Sequence, residues 1–276
     1  MRNFKFAAFA DEAGESLQEQ IKALKENNCN LIEIRGVNGK NILDTPLEEV
    51  KKIGEQLKEQ GIFVWSLGSP IGKININDNF ENHIEKFKKA IEICNILGAE
   101  NMRIFSFYVD NNYKDTREKV LKRLNKFVEL SKNSNITLCH ENEKGIWGDK
   151  ASRCLEIHKN IPQIKAVFDP ANFVQCEQDS EKAFEMLQPY IKYMHIKDAD
   201  KNGIVKAAGH GEGKIFKLLK KYSGEVLTLE PHLWEFSGLK NLEKNENSSV
   251  VENAFSSQRE AFDYAFNSLK NLVKEV

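Results

Sequence analysis

The chain has 276 residues, and its 40 basic and 41 acidic side chains leave a formal net charge of −1. This near balance predicts no surface field that would hold nucleic acid or an anionic membrane. The length suits one α/β barrel or two small domains. Five widely spaced cysteines without a C-x-x-C pair predict thiols in a reducing compartment, so we expect a cytoplasmic protein. The apolar run from Phe4 to Ala10 is too short and too charged for a signal peptide, and no run reaches membrane-spanning length.

Short runs with β-strand character alternate along the chain with longer segments of helical period. The predicted strands are Phe4–Phe9, Leu31–Arg35, Ile62–Leu67, Asn101–Phe105, Thr137–Glu141, Ala166–Asp169, Tyr193–Ile196 and Val226–Glu230. Between them, apolar residues recur three and four positions apart, which predicts helices that each bury one face. Repeated β/α units of this kind predict a parallel sheet covered by helices. We therefore predict an α/β protein, a (β/α)8 TIM barrel that spans residues 1–276 as a single domain.

One polar segment interrupts this alternation, from Glu235 to Ser256, between the last predicted strand and the last predicted helix. It contains several asparagines and few residues that could pack in a core. In a (β/α)8 barrel this connection lies on the face that carries active sites. The segment therefore either covers the site or reaches a neighbouring subunit, or it is an ordinary loop.

Four polar residues end the fifth to the eighth predicted strands, and they are Glu141, Asp169, His195 and Glu230. In each strand the residue just before the polar one faces the other way, because side chains alternate along a strand. Pro170 and Pro231 directly follow two of the carboxylates, and a proline favours extended geometry in the residue before it and cannot extend a ladder. We therefore expect each carboxylate to be the last residue of its strand.

Three carboxylates and one imidazole form a hard, oxygen-rich donor set. Such a set favours Mn²⁺, with Mg²⁺, Co²⁺ and Zn²⁺ as alternatives. Taken singly, a carboxylate at a strand end is usually a helix cap or a solvated turn residue, and a lone histidine is more often structural than a ligand. Four such residues at successive strand ends of a barrel reverse that balance, because barrel enzymes build their sites there. The sequence predicts one divalent metal ion bound by these four residues.

Four short motifs carry a resemblance to a known family. They are Leu138-Cys139-His140-Glu141-Asn142-Glu143, Phe168-Asp169-Pro170-Ala171-Asn172-Phe173, Met194-His195-Ile196-Lys197-Asp198 and Leu229-Glu230-Pro231-His232. They resemble the metal-binding motifs of the xylose-isomerase-like TIM-barrel superfamily of sugar and sugar-phosphate isomerases and epimerases. The similarity extends over nearly the whole chain, including Glu33 in the second strand and the glycine-rich loop from Gly209 to Gly213.

The resemblance implies a carbohydrate substrate and two catalytic glutamates, Glu141 and Glu230, which also bind the metal. An ion on a ketose carbonyl and its neighbouring hydroxyl would stabilise an enediolate, and a carboxylate on each face could remove and return a proton. Return to the opposite face gives epimerisation, and return to the adjacent carbon gives isomerisation. Loss of hydroxide gives dehydration, as in the inosose dehydratases of the same superfamily.

Six residues are candidate substrate ligands, and they are Asn172, Lys197, Lys201, His210, His232 and Trp147. Three of them depart from the pattern of the hexulose 3-epimerases, which have histidine at the position of Asn172, arginine at that of Lys201 and an acidic residue at that of Trp147. Lysine keeps the charge of arginine but lacks its planar two-pronged grip, so substrate anchoring would differ. These departures weaken the assignment to the epimerases and leave the four metal ligands unaffected.

Two other functions remain to be distinguished. A DNA-repair endonuclease of the same superfamily would need a histidine-rich trinuclear zinc site and a basic surface, but the chain has six histidines and nearly balanced charges. A non-catalytic sugar-binding barrel would be expected to lose one of the two catalytic glutamates. The substrate, its phosphorylation and the oligomeric state are not readable from the sequence, and a homo-oligomer stays open.

Overall fold

The computed structural model describes residues 3–109, 113–235 and 254–276. Eight parallel strands form a closed barrel. The strands are β1 (Lys5–Ala8), β2 (Leu31–Ile34), β3 (Phe63–Leu67), β4 (Asn101–Ile104), β5 (Thr137–Glu141), β6 (Lys165–Phe168), β7 (Ile191–Ile196) and β8 (Val226–Leu229). Each strand pairs with its neighbours in sequence, and β1 pairs with β8, Lys5 opposite Val226, which closes the ring. The predicted TIM barrel is confirmed.

Helices lie between successive strands and cover the outside of the barrel. They are α1 (Leu17–Glu26), α2 (Leu47–Glu59), α3 (Phe80–Leu97), α4 (Tyr113–Ser131), α5 (Ala151–Asn160), α6 (Pro170–Gln175), α7 (Ser180–Leu187), α8 (Ile215–Lys221) and α9 (Gln258–Lys274). The start of α1 shows how sequence sets such a boundary. Ser16 accepts a hydrogen bond from the backbone of Glu19, whose side chain accepts one from the backbone of Ser16.

Two apolar regions hold the fold together. The larger one lies between the strands and the helices and contains most of the buried phenylalanines. The smaller one fills the inside of the barrel and consists of Ala7, Cys139, Val167, Tyr193 and Val226. Toward the carboxyl ends of the strands, the side chains inside the barrel are charged and polar. The barrel therefore has an apolar floor beneath a polar mouth.

Two short antiparallel hairpins lie at the mouth of the barrel. Gly36–Val37 pairs with Lys40–Asn41 after β2, and Asp198–Ala199 pairs with Val205–Lys206 after β7. Most of the polar segment predicted between residues 235 and 256 lies outside the described residues, so its role stays a prediction. Among the residues that are described, no helix combines the length and apolar character needed to cross a membrane.

Candidate metal centre and active site

The barrel delivers all four predicted metal ligands to its carboxyl-terminal mouth. Glu141 is the last residue of β5, and His195 lies one residue before the end of β7. Asp169 and Glu230 were expected to end their strands, but they follow β6 and β8 directly. Asp169 is the N-cap of α6, and its side chain accepts a hydrogen bond from the backbone of Asn172, so its local geometry is that of a helix start.

The four side chains converge on one point. All four residues are buried, and one potential ligand atom from each lies within 4.8 Å of the other three. Nδ1 of His195 lies 3.0 Å from Oε1 of Glu141 and 3.4 Å from Oε2 of Glu230. The sequence predicted this meeting of strand ends, and the structure brings the four together at the spacing of ligands around one ion.

Two carboxylate oxygens in this cluster indicate whether a divalent ion would fit between the four side chains. Among the described residues, neither Oε2 of Glu141 nor Oδ2 of Asp169 accepts a hydrogen bond, and both atoms are buried. Arg103 Nη1 and Lys197 Nζ lie 3.2 Å and 3.0 Å from these oxygens, close enough for an ion pair but without hydrogen-bonding geometry. Buried acceptors without donors are costly, and a cation between them removes that cost. The donor set therefore fits a divalent ion.

Three buried cations surround the cluster, and of these only Lys197 was predicted from the sequence to lie near the site. Arg103 Nη1 lies 3.2 Å from Glu141 Oε2 and 3.3 Å from Glu230 Oε1, so one guanidinium bridges the two candidate catalytic glutamates. Arg35 Nη1 lies 3.0 Å from the same oxygen of Glu230. Lys197 Nζ lies 3.3 Å from the other oxygen, Oε2. Both oxygens of Glu230 are thus held by cations.

Carboxylates nevertheless outnumber cations in this part of the barrel. The buried acids that contact the cluster or its cations are Asp11, Glu12, Glu33, Glu141, Asp169 and Glu230, and the buried bases other than histidine that contact these acids are Arg35, Arg103 and Lys197. Even with a protonated His195, six potential negative charges against four positive charges leave an excess that a divalent cation would reduce. Burying unpaired charge is expensive, so this excess is a second reason why the site fits a metal ion.

The pKa values follow from this charge balance. Burial alone would lower the pKa of His195, but the carboxylates of Glu141, Glu33 and Glu230 overcome burial and raise it well above 6.5. Burial alone would raise the pKa of Glu230, but Lys197, His232 and His195 hold it well below its usual range. Burial, together with Glu141 and Glu230, raises the pKa of Asp169 to about 7. In the metal-free protein, bound protons therefore neutralise part of the negative charge of the four ligand residues.

A second group of potential ligand atoms adjoins the first at Glu230. It consists of Glu12, Glu230 and His232. Oε1 of Glu12 lies 3.4 Å from Nε2 of His232 but also 2.9 Å from Nη2 of Arg35. Arg35 forms ion pairs with Asp11 and Glu12 as well as with Glu230. Because a guanidinium already occupies this group, we interpret it as part of the wall that supports Glu230.

The structure separates the six candidate substrate ligands into two sets. Asn172, Lys197 and His232 contact the ligand set: the Asn172 amide donates to Glu141 (3.3 Å), Lys197 contacts Asp169, and His232 lies 3.6 Å from Glu230. The other three lie elsewhere. Lys201 and His210 are exposed on loops, and Trp147 is buried in the main core beneath Arg153. No described contact joins these three to the cluster, so their roles in binding substrate stay predictions.

Asp198 explains the glycine-rich loop after β7. Its carboxylate accepts hydrogen bonds from the backbone N–H groups of Ala199, Gly209, Gly211 and Gly213 at 2.8 to 3.0 Å. A Cβ atom on Gly213 would lie 2.7 Å from the Asp198 carboxylate, so glycine is needed for this close approach. Asp198 therefore fixes the backbone path of this loop.

Sequence reasoning missed two residues that shape the site, Arg35 and Arg103. Each stands at a position that faces the barrel interior, Arg103 between Met102 and Ile104 in β4 and Arg35 directly after β2. A charged residue inside an otherwise apolar strand was the available signal, since such a residue is rarely buried without a partner. What the pattern could not give was the identity of the partners, which lie on other strands.

Comparison with known proteins identifies the family. A sequence model described as xylose isomerase-like TIM barrel matches residues 21–245. The chain belongs to this family. A search of curated proteins found no match.

Among solved structures, the xylose isomerase-like chain is similar to a D-psicose 3-epimerase of Clostridium cellulolyticum H10, at 13% identity over 98% of both chains with a TM-score of 0.74. It is also similar to a probable 3-DHS dehydratase of Bacillus anthracis involved in petrobactin synthesis, at 16% identity over 98% of this chain and 99% of that one, with a TM-score of 0.73. A third is the IOLI protein with a bound zinc atom, at 14% identity over 98% of both chains with a TM-score of 0.76. At these identities the likeness establishes the fold alone.

Proposed function

We propose that the protein is a divalent-metal-dependent isomerase or epimerase that acts on a sugar or sugar phosphate. The observation that carries this proposal is the convergence of Glu141, Asp169, His195 and Glu230 within 4.8 Å at the mouth of the barrel. Barrel enzymes bind substrate at this face. Family membership and the structural likeness to an epimerase support the same reaction class. Mn²⁺ is the ion we expect from the oxygen-rich donors, with Mg²⁺, Co²⁺ and Zn²⁺ as alternatives.

The bound ion would polarise the substrate carbonyl and acidify the neighbouring C–H bond. Glu141 and Glu230 are the two carboxylates in the site that we assign to proton transfer, one removing the proton and the other returning it. Arg103 bridges them and fixes their separation. Asn172 donates to Glu141 and leaves it fewer orientations, so the base is held in place before the substrate arrives.

Dehydration is the second candidate, because of the position of Lys197. Its ammonium group is buried between Asp169 Oδ2 and Glu230 Oε2, at 3.0 and 3.3 Å. A dehydratase must protonate the hydroxide that leaves, and a buried ammonium beside the ligand set could supply that proton. The likeness to a probable dehydratase supports the same alternative.

The test begins with the metal. Purified protein should bind one divalent ion per chain, measured by elemental analysis after dialysis against Mn²⁺, Co²⁺ or Zn²⁺. His195→Ala should lose the ion at near-neutral pH, whereas Glu129→Gln, on the exposed face of α4, should keep it. Full occupancy in the His195→Ala protein would show that the ion binds elsewhere.

The second step is a metal-dependent screen of ketoses, ketose phosphates, hydroxypyruvate and inososes. The screen should be run in D₂O with the product analysed by NMR. Glu141→Gln and Glu230→Gln keep one ligand oxygen each, so each should retain some metal but lose turnover. An isomerase or epimerase should place solvent deuterium on the carbon next to the carbonyl, and a dehydratase should give an unsaturated or deoxy product. Turnover without any deuterium in product or recovered substrate would contradict proton transfer through the glutamates.

A further inference from the structure

Glu33 is a buried carboxylate on β2, and the proposed function gives it no role. Its side chain is fully enclosed. It lies within the interior of the barrel, beside the apolar floor to which Tyr193 belongs. A buried carboxylate away from the substrate face is costly unless its oxygens are paired, so its contacts indicate what it does.

Both oxygens of Glu33 are engaged. Oε1 accepts hydrogen bonds from the hydroxyls of Tyr193 at 2.8 Å and Ser66 at 3.2 Å. Oε2 lies 3.1 Å from Nε2 of His195. Two hydroxyl donors on one oxygen stabilise the ionised form of the carboxylate and fix its orientation. The other oxygen is thereby directed at the imidazole.

The two nitrogens of His195 consequently face different partners. Nε2 points down the barrel to Glu33, whereas Nδ1 points up to Glu141 and Glu230, at 3.0 and 3.4 Å. An ionised carboxylate only accepts hydrogen bonds, so Nε2 must carry the hydrogen. Nδ1 is then the nitrogen whose lone pair can reach an ion held by the glutamates. The ring of Phe9 packs edge-on against the imidazole at 5.2 Å and limits its rotation.

We propose that Glu33 is a positioning residue of the metal centre, which holds His195 in the Nε2–H tautomer with Nδ1 directed at the ion. The inference rests on the proposed metal site and extends it to a residue that does not touch the ion. A carboxylate that accepts from the outer nitrogen of a metal-bound histidine fixes the ring and increases the basicity of the ligand nitrogen. Tyr193 and Ser66 act one step further back, through Glu33.

The test compares metal affinity in variants of Glu33 with that of the wild type. Glu33→Gln keeps the size of the side chain but removes the charge, and its amide can also present a donor to Nε2. Loss of such a carboxylate partner typically weakens metal binding by about 10- to 100-fold, and we expect a loss in that range for Zn²⁺ and Co²⁺. Glu33→Asp keeps the charge but is too short to reach Nε2, so it should show a similar loss. If Glu33→Gln does not fold, Glu33→Asp still tests the inference.

A spectroscopic measurement separates positioning from a purely structural role. Zinc-loaded protein with ¹⁵N-labelled histidine should show, for His195, a metal-bound Nδ1 and a protonated Nε2 whose hydrogen exchanges slowly with solvent. In Glu33→Gln that hydrogen should exchange faster and the chemical shift of Nε2 should move. A residue that only filled space would change the melting temperature and leave this pattern as it was.

The matched control is Tyr193→Phe, which keeps the Glu33–His195 contact and removes one hydroxyl. Its affinity for Zn²⁺ should stay within about threefold of wild type, because the direct partner of the ligand is intact. An equal loss in Tyr193→Phe and Glu33→Gln would overturn the inference in favour of general packing. So would a Glu33→Gln protein with wild-type affinity and wild-type nitrogen shifts. Absence of metal binding by the wild type would instead overturn the proposed function.

Discussion

The side-chain amide of Asn142 forms a pair of hydrogen bonds with the backbone of Asp169. Its nitrogen donates to the carbonyl of Asp169, and its oxygen accepts from the N–H of Asp169, both at 2.9 Å. The amide thus imitates a neighbouring strand and continues the pairing of β5 with β6 by one residue. This contact fixes Asp169 relative to Glu141, the residue before Asn142.

Asn142→Asp tests this relationship with a side chain of the same shape. A carboxylate cannot donate to the carbonyl of Asp169, and a buried group left without its partner costs about 1–3 kcal/mol. We expect a loss of that size in the free energy of unfolding, measured in urea, together with weaker metal binding. Asn125→Asp, on the exposed face of α4, is the control and should change neither quantity. Unchanged metal affinity in Asn142→Asp would show that Asp169 is held by other contacts.

Lys197→Met should separate the stability of the site from its affinity for metal. Lys197 neutralises Asp169 and Glu230, and removing one partner of a buried ion pair costs about 3–5 kcal/mol. In the presence of a chelator, the melting temperature of the variant should therefore lie well below that of wild type. A divalent ion should restore more of the melting temperature in the variant than it adds to wild type, because a competing positive charge is gone. Lys206→Met, at a partly exposed pair with Asp200, should behave like wild type.

Metal binding should weaken as pH falls. The pKa of Asp169 is raised to about 7, and that of His195 lies well above 6.5, so both hold protons below neutral pH without the ion. Ligands must lose these protons to bind metal, so each ion should release at least one proton, and affinity should rise with pH. Calorimetry in two buffers with different ionisation enthalpies measures the protons released. Identical heats in the two buffers would contradict the protonated ligand set.

His158 should contribute to loss of stability in acid. Burial lowers its pKa to about 4, and Nδ1 lies 3.0 Å from the carbonyl of Ile164. The unfolded chain takes up the proton near pH 6.5, so the contribution of His158 is fully present above about 6.5 and is lost as pH falls to about 4. The difference in unfolding free energy between wild type and His158→Gln should therefore shrink over this range, by at most about 1.4 kcal/mol per pH unit. If the unfolding free energies of wild type and His158→Gln changed in parallel with pH, His158 would have no part in the loss of stability in acid.

Gly211→Ala should disturb the loop after β7. A Cβ atom there would clash with the carbonyl oxygen of Ala199 and with the Asp198 carboxylate. Overpacking of this kind typically costs about 1–3 kcal/mol, and it would loosen the hydrogen bonds that Asp198 accepts. We expect a lower melting temperature and faster hydrogen exchange at Gly209 and Gly213. Glu212→Ala, at the exposed neighbouring position, should change little.

The sequence by itself determined the barrel and its four converging polar residues. The lengths of the strand segments and the alternation of their side chains predict this arrangement, because alternate side chains face the barrel interior and parallel strands end at the same rim. The positions of Glu141, Asp169, His195 and Glu230 follow from that rule to within one residue. Asp169 and Glu230 each lie one residue beyond the end of the strand that they were expected to end. For Asp169 the reason is that it also starts α6, and a cap and a strand end look alike in sequence.

Only the tertiary structure decided which side chains join these four. Arg103 lies between Glu141 and Glu230, and Glu33 lies behind His195, because closure of the barrel brings β2 and β4 opposite β7 and β8 across its interior. Pairings between residues on different strands, from 38 to 162 positions apart, leave no periodic signal in one sequence. Lys201 and His210 lie on exposed loops, and the sequence alone does not place them relative to the site, since the path of a loop depends on anchors such as Asp198 that hold its backbone. Local alternation fixes which way a strand residue faces, whereas its partners depend on the three-dimensional closure of the ring.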